Sequence, residues 1–179
     1  MTALVPPERL GRSRRAPWSA GAGGSTLWLL TSTTTRQAVG AIDASARAGY
    51  SFVVLAGDEP TERPDFGVLA DRIARRGMRL GVCTDGARFA DPEVAAGAAT
   101  AWGLAWVDLH GAGSDLAVLE AALESLGDAG VAVGLTVTAN EGGSAVVDAL
   151  APAERLAELR VTPDAALDPA EGAARVVAL

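Results

Sequence analysis

Six times between Thr26 and the end of the chain, a short apolar run gives way to a turn and then to a longer segment with helical spacing. The apolar runs are residues 27–31, 52–56, 79–84, 105–109, 131–138 and 159–162. The helical segments are 35–48, 64–76, 92–102, 115–129 and 144–158, with a last one near 169–177. Their apolar residues recur three or four positions apart, as Phe66, Leu69 and Ile73 do in the second and Leu116, Leu119, Leu123 and Leu126 in the fourth. A strand, a helix and another strand at this spacing bring successive strands parallel through right-handed crossovers. The repeat therefore restricts the chain to an α/β fold, either a partial (βα)6 barrel or an open doubly wound sheet.

Local punctuation agrees with these boundaries. Asp91-Pro92 and Asp168-Pro169 each place a capping carboxylate before a proline at the first helical position, and Glu171 supplies a reciprocal partner for Asp168. Gly49, Gly77, Gly103 and Gly130 stand where helices should stop.

The faces of the strands choose between the two architectures. Alternate residues of a strand share a face. Val107 and Leu109 would meet the helices, while Trp106, Asp108 and His110 point the other way. Val133, Leu135 and Val137 likewise oppose Thr136, Thr138 and Asn140, and Val161 opposes Arg160, Thr162 and Asp164. A doubly wound sheet buries both faces and does not tolerate polar stripes through its centre. A partial barrel with a wet interior does, so the sequence predicts a partial (βα)6 barrel over residues 26–179. Residues 1–25, rich in arginine, glycine and proline and without apolar periodicity, read as mostly a flexible tail, with Trp18 as a group to pack back on the body.

Charge and cysteine content narrow the function classes. The 179-residue chain carries a net charge of −7, with its tail basic and its body acidic. An acidic body argues against nucleic-acid binding, which needs a basic surface. No run of roughly 18 apolar residues marks a membrane span, and no apolar core follows the basic start as in a secretory signal. A cytoplasmic location is the resulting expectation. All the basic residues are arginine, which fits a GC-rich genome better than a functional demand. The single cysteine, Cys83, rules out an internal disulfide and a zinc or iron–sulfur site built from cysteines. Inside an apolar strand it reads as a small buried hydrophobe.

Four motifs in order resemble those of radical SAM enzymes. The stretch Gly57-Asp58-Glu59-Pro60-Thr61, followed by Glu62-Arg63-Pro64-Asp65, is similar to the Gly-Gly-Glu-Pro-Thr signature after the second strand of that family. Thr84-Asp85-Gly86 resembles its Thr-Asn-Gly turn, and Phe89-Ala90-Asp91-Pro92-Glu93 continues as members do. Val107-Asp108-Leu109-His110-Gly111 resembles its fourth strand. The resemblance spans roughly residues 26–165 and implies a TIM-like partial barrel of radical SAM type.

The departures are as informative. The family's Cys-x-x-x-Cys-x-x-Cys loop should follow the first strand, where this chain has Thr31-Ser32-Thr33-Thr34-Thr35 entering a helix directly. Three thiolates are needed to hold the cluster, so the chain looks like a degenerate member, a pseudoenzyme with no cofactor. Asp58 replaces a family glycine beside the SAM amino-group site, which weakens the case for SAM binding. Helix capping accounts for Ser32 and Thr33 to Thr35.

Glu59, Asp85, Asp108, His110, Thr138 and Asn140 lie at or near the carboxyl ends of the strands, where barrels place their chemistry, and are the candidate ligand-binding residues. Asp164 ends a neighbouring strand. Asp108 and His110 form an i, i+2 pair able to serve as metal ligand or acid–base couple, yet no diagnostic metal spacing accompanies them, and neither a catalytic residue nor a metal is assigned. Glu59 reads as a loop-structuring acceptor, with an amino-group contact as its functional alternative.

Such a chain resembles accessory pseudoenzymes in pathways that make ribosomally synthesised, post-translationally modified peptides, such as the recognition proteins of daptide-type clusters. The resemblance implies a precursor peptide or modifying enzyme as partner. Strand addition at an open sheet edge is the predicted mode, and a homodimer is an alternative use of that edge. An enzyme with a metal or acid–base site at the mouth, or a small-molecule sensor, remains the competing reading. An ordered cavity of ligand size with convergent polar groups would favour either of these, and a collapsed or plugged one, with an exposed edge or apolar patch, the peptide partner.

Overall fold

The computed structural model describes residues 3–4, 24–110, 115–138, 141–150 and 156–162. Along the chain run β1 (Ala3–Leu4), β2 (Gly24–Leu29), α1 (Thr35–Arg47), β3 (Phe52–Gly57), α2 (Phe66–Arg75), β4 (Arg79–Thr84), α3 (Pro92–Trp102), β5 (Leu104–His110), α4 (Leu116–Asp128), β6 (Ala132–Thr138), α5 (Glu141–Leu150) and β7 (Leu156–Thr162). Single 3₁₀ turns follow β3 (Pro60–Glu62) and β4 (Ala87–Ala90).

Strands β2 to β7 are parallel and lie side by side in sequence order, and β1 pairs antiparallel with β7 at the far edge. Sequential order with right-handed crossovers places every helix on the same face of the sheet, whereas a doubly wound sheet reverses at a switch point. The fold is thus α/β, six parallel strands alternating with helices in an unclosed sheet, a partial barrel. β2 forms one edge and the short β1 covers part of the other.

The helix-facing side holds the main core. Ile42, Leu69, Ile73, Leu119 and Leu126 of the helices pack on Val53, Leu55, Leu80, Val82, Val107, Leu109, Val133 and Leu135 of the strands, all essentially excluded from solvent. Helix ends follow the chemistry of their sequences. Thr34 and Gln37 form a reciprocal capping box on α1, and Asp91 and Asp115 cap α3 and α4. Gly49, Gly77, Gly103 and Gly130 all take positive φ just beyond helices.

The concave side has its own smaller core of Phe52, Ala105 and Trp106, with Val54, Ala132 and Ala157 against it. Two glycines make room for its rings. A Cβ on Gly81 would stand 2.8 Å from the Phe52 ring, and one on Gly134 would stand 2.4 Å from Trp106. The aromatic pair thereby fills the floor of the half-barrel and leaves its carboxyl-terminal side open.

Two irregularities set the register. Leu80 pairs with Leu104 but Gly81 with Trp106, so Ala105 is an extra residue in β5. Val133 pairs with Leu156 but Gly134 with Glu158, so Ala157 is an extra residue in β7. The second explains a correction: α5 ends at Leu150 and strand begins at Leu156, where the sequence pattern extended the helix to 158. The bulge separates inward-packed Leu156 and Leu159 by three residues, a spacing that imitates a helix. β2 likewise begins at Gly24 rather than 27, because an edge strand needs little apolar content. β1 and the first two residues of β2 fall within the stretch assigned to the tail. Trp18, Asn140, Asp164, Asp168 and the segment 169–177 lie outside the described residues.

Candidate ligand-binding cavity

The concave face opens into a cavity of about 600 Å³ lined by Thr26 and Trp28 of β2, Val54 and Ala56 of β3, Cys83 of β4, Trp106, Asp108 and His110 of β5, Thr136 of β6, and Arg160 and Thr162 of β7. All six parallel strands contribute. The alternation that sends Val107 and Leu109 to the helices sends Trp106, Asp108 and His110 here, as the sequence pattern predicted.

Asp108 is the hub. Only 4% exposed, it accepts a hydrogen bond from Thr136 Oγ1 at 2.8 Å on Oδ1 and from Arg160 Nη1 at 2.7 Å on Oδ2. Arg160 also donates through Nε to Glu158 at 2.7 Å. A buried charge is tolerated when paired and hydrogen-bonded in this way. The two carboxylates outweigh the loss of hydration around the Arg160 guanidinium and hold its pKa above the ordinary value.

Cys83 lies directly opposite Asp108 across the β4–β5 ladder. It is half-buried and lines the cavity rather than the helix-facing core. Burial, reinforced by the Asp108 and Glu59 charges against the opposing effect of Arg160, pushes its thiol up to about 12. As it stands, the thiol is protonated and a poor nucleophile at neutral pH. His110, two residues beyond Asp108, is exposed at the mouth. One donor atom from each of Cys83, Asp108 and His110 falls within 4.8 Å of the others.

The other predicted positions serve the loops. Glu59, in a left-handed conformation with φ of 34°, accepts from Thr84 Oγ1 at 2.6 Å, from the Thr61 amide at 3.3 Å and from the Asp85 amide at 2.8 Å. Its carboxylate staples the loop after β3 to the loop after β4. Asp85 accepts from the Ala87 amide at 2.9 Å and so shapes its own turn. Neither residue lines the cavity, nor does Thr138. Arg160, Thr136 and Cys83 were not among the candidate site residues. The strand alternation places Thr136 and Arg160 on the polar face, but their convergence on Asp108 is a matter of register.

The loop after β2 is short and complete. The Thr33 amide donates to the Leu30 carbonyl, and Thr33 Oγ1 accepts from the Leu30 amide. Arg63 ties this loop to its neighbour by donating to the Leu30 and Thr33 carbonyls while paired with Asp65. Gly57 sits so close to β2 that a Cβ there would lie 2.2 Å from the Leu29 carbonyl oxygen, and Asp58 turns outward to accept from Thr31 Oγ1 at 3.2 Å.

No protein-family model matches the chain, and no curated protein matches it. Among the described residues no helix is long and apolar enough to cross a membrane.

Proposed function

We propose that the chain is a non-catalytic, radical SAM-like accessory protein that binds an extended peptide on its concave face, as part of a peptide-modification pathway. The observation that carries this reading is the position of Thr26 and Trp28, which belong to the edge strand β2 and line the cavity at once. A peptide laid beside β2 gains main-chain hydrogen bonds from the edge, and its alternate side chains enter a ready pocket. Trp28, 66% exposed, is the kind of aromatic anchor on which binding energy concentrates. Thr136 and Thr162 offer polar contacts to a side chain or terminus.

The same reading accounts for residues that the radical SAM resemblance would assign to chemistry. Glu59 and Asp85 are engaged in loop structure, and the loop after β2 is closed by Arg63 and its own threonines. The test is co-expression with short peptides from the host's own peptide-modification loci, followed by affinity capture. Trp28→Ala should lower capture at least tenfold, the scale of a moderate hot spot at about 1.4 kcal/mol. Raised salt should change it little, since strand addition depends weakly on exposed charge. Capture that ignores Trp28→Ala and collapses in salt would transfer the role to the arginine-bearing tail.

It is the exposed β2 edge that favours the peptide, whereas the ordered cavity, of ligand size with Asp108, Arg160 and His110 lining it, is the outcome that favours the competing reading, a small polar ligand or an enzyme. A hundredfold loss of an identified activity in His110→Ala, with folding intact, would establish it.

A further inference from the structure

We propose that Cys83, Asp108 and His110 form a binding site for one divalent transition-metal ion of the zinc class, with a further coordination position open to the cavity. The inference is independent of what fills the rest of the concave face.

The donors come from two adjacent strands. Cys83 and Asp108 are paired across the β4–β5 ladder, and His110 lies on the same face of β5 two residues on. They form a graded set, Asp108 buried, Cys83 half-buried and His110 exposed. An ion would therefore rest on the sulfur and the carboxylate, with the imidazole closing it from the mouth. Bond lengths of about 2.0–2.3 Å place the ligands of a tetrahedral zinc roughly 3.5 Å apart. The donor atoms, all within 4.8 Å, need to close by about 1 Å, within the reach of small side-chain rotations.

The surroundings suit the task. Thr136 and Arg160 each hold one oxygen of Asp108, and a carboxylate has lone pairs for a metal beyond those two bonds. Fixing a ligand from behind in this way is what outer-shell partners do. Arg160 is itself neutralised by Glu158, so the ion does not face an uncompensated cation. A sulfur, an imidazole and one carboxylate select zinc-like ions, whereas magnesium and calcium require oxygen-rich sets. Binding transfers the thiol proton to solvent as the zinc–sulfur bond forms.

The experiment uses the tag-free full-length chain, stripped with chelator and titrated by calorimetry with zinc chloride and, separately, magnesium chloride. One equivalent of zinc should bind, and magnesium should not. Cys83→Ser and His110→Ala, neither of which disturbs the helix-facing core, should each weaken zinc at least tenfold. Cobalt should give a thiolate charge-transfer band that Cys83→Ser abolishes. A zinc dissociation constant weaker than roughly 100 μM, binding that survives either substitution, or a cobalt spectrum without the thiolate band overturns the site.

Discussion

The two faces of one sheet differ more than any two segments of this chain. Toward the helices the strands present Val53, Leu55, Val82, Val107, Leu109, Val133 and Leu135 to one continuous core. Toward the concavity the same strands present Phe52 and Trp106 low down, then Cys83, Asp108, His110, Thr136, Arg160 and Thr162 nearer the mouth. On β4 to β7 the partly exposed Cys83, Thr136, Arg160 and Thr162 and the exposed His110 each stand next to a buried residue. The helix-facing side is thus a continuous apolar core, while the concave side combines a small aromatic core and a buried ion pair with more accessible polar groups nearer the mouth.

The largest effect should come from the helix side. Ile73, fully excluded from water, should cost about 2–5 kcal/mol when cut to alanine, read from the denaturant midpoint. Trp28→Ala, at an exposed mouth position, should shift that midpoint hardly at all. If the two cost the same, the division between faces fails.

The concave floor comes next. Gly134→Ala forces a methyl against the Trp106 ring and should destabilise by about 1–3 kcal/mol, because the ring is enclosed and has little room to yield. Adding Trp106→Leu should recover part of the loss, and a double-mutant cycle measures that coupling. Strict additivity would show that the glycine is not there for the ring.

The buried pair sharpens the contrast further. Asp108→Asn leaves Arg160 without its second carboxylate and should cost about 1.5–3 kcal/mol, the range for hydrogen bonds to charged groups. Replacing Asp108 and Arg160 together by apolar residues should cost less than the sum of the two single changes. Thermal melts of the three variants decide it.

The smallest effect belongs to the outer surface. Arg72 first and Arg76 second hold the Asp43 carboxyl well below its ordinary value of 3.8. A depressed folded-state pKa contributes stability that is complete above the unfolded value and disappears as pH falls through the folded one. Asp43→Asn should therefore lower the neutral plateau of a stability–pH curve slightly and flatten the acid limb, the gap to the parent chain closing as pH falls below about pH 4. An unaltered acid limb would show that this exposed network contributes nothing.

Much of this architecture was legible in local sequence. The βα repeat, the helix-facing stripes and the positive-φ glycines at Gly49, Gly77, Gly103 and Gly130 follow from periodicity and steric preference, which act over a few residues. So does the assignment of Trp106, Asp108 and His110 to one face and of Val107 and Leu109 to the other, since alternation is a property of the strand itself. What the alternation does not carry is register. Continued without the bulge at Ala105, the pairing of Leu80 with Leu104 would set Cys83 beside Val107; the extra residue sets it beside Asp108. Ala157 does the same for β7, bringing Arg160 level with Thr136 and so onto the carboxylate of Asp108, 52 residues away in sequence. The fates of Glu59 and Asp85, drawn into the loops, were equally a matter of which turns came to lie side by side. Local sequence determined which residues point inward, because that depends on single-strand geometry. Tertiary structure decided which of them meet, because a one-residue slip between strands costs little locally and is fixed only when Phe52 and Trp106 pack over Gly81 and Gly134 in the assembled sheet.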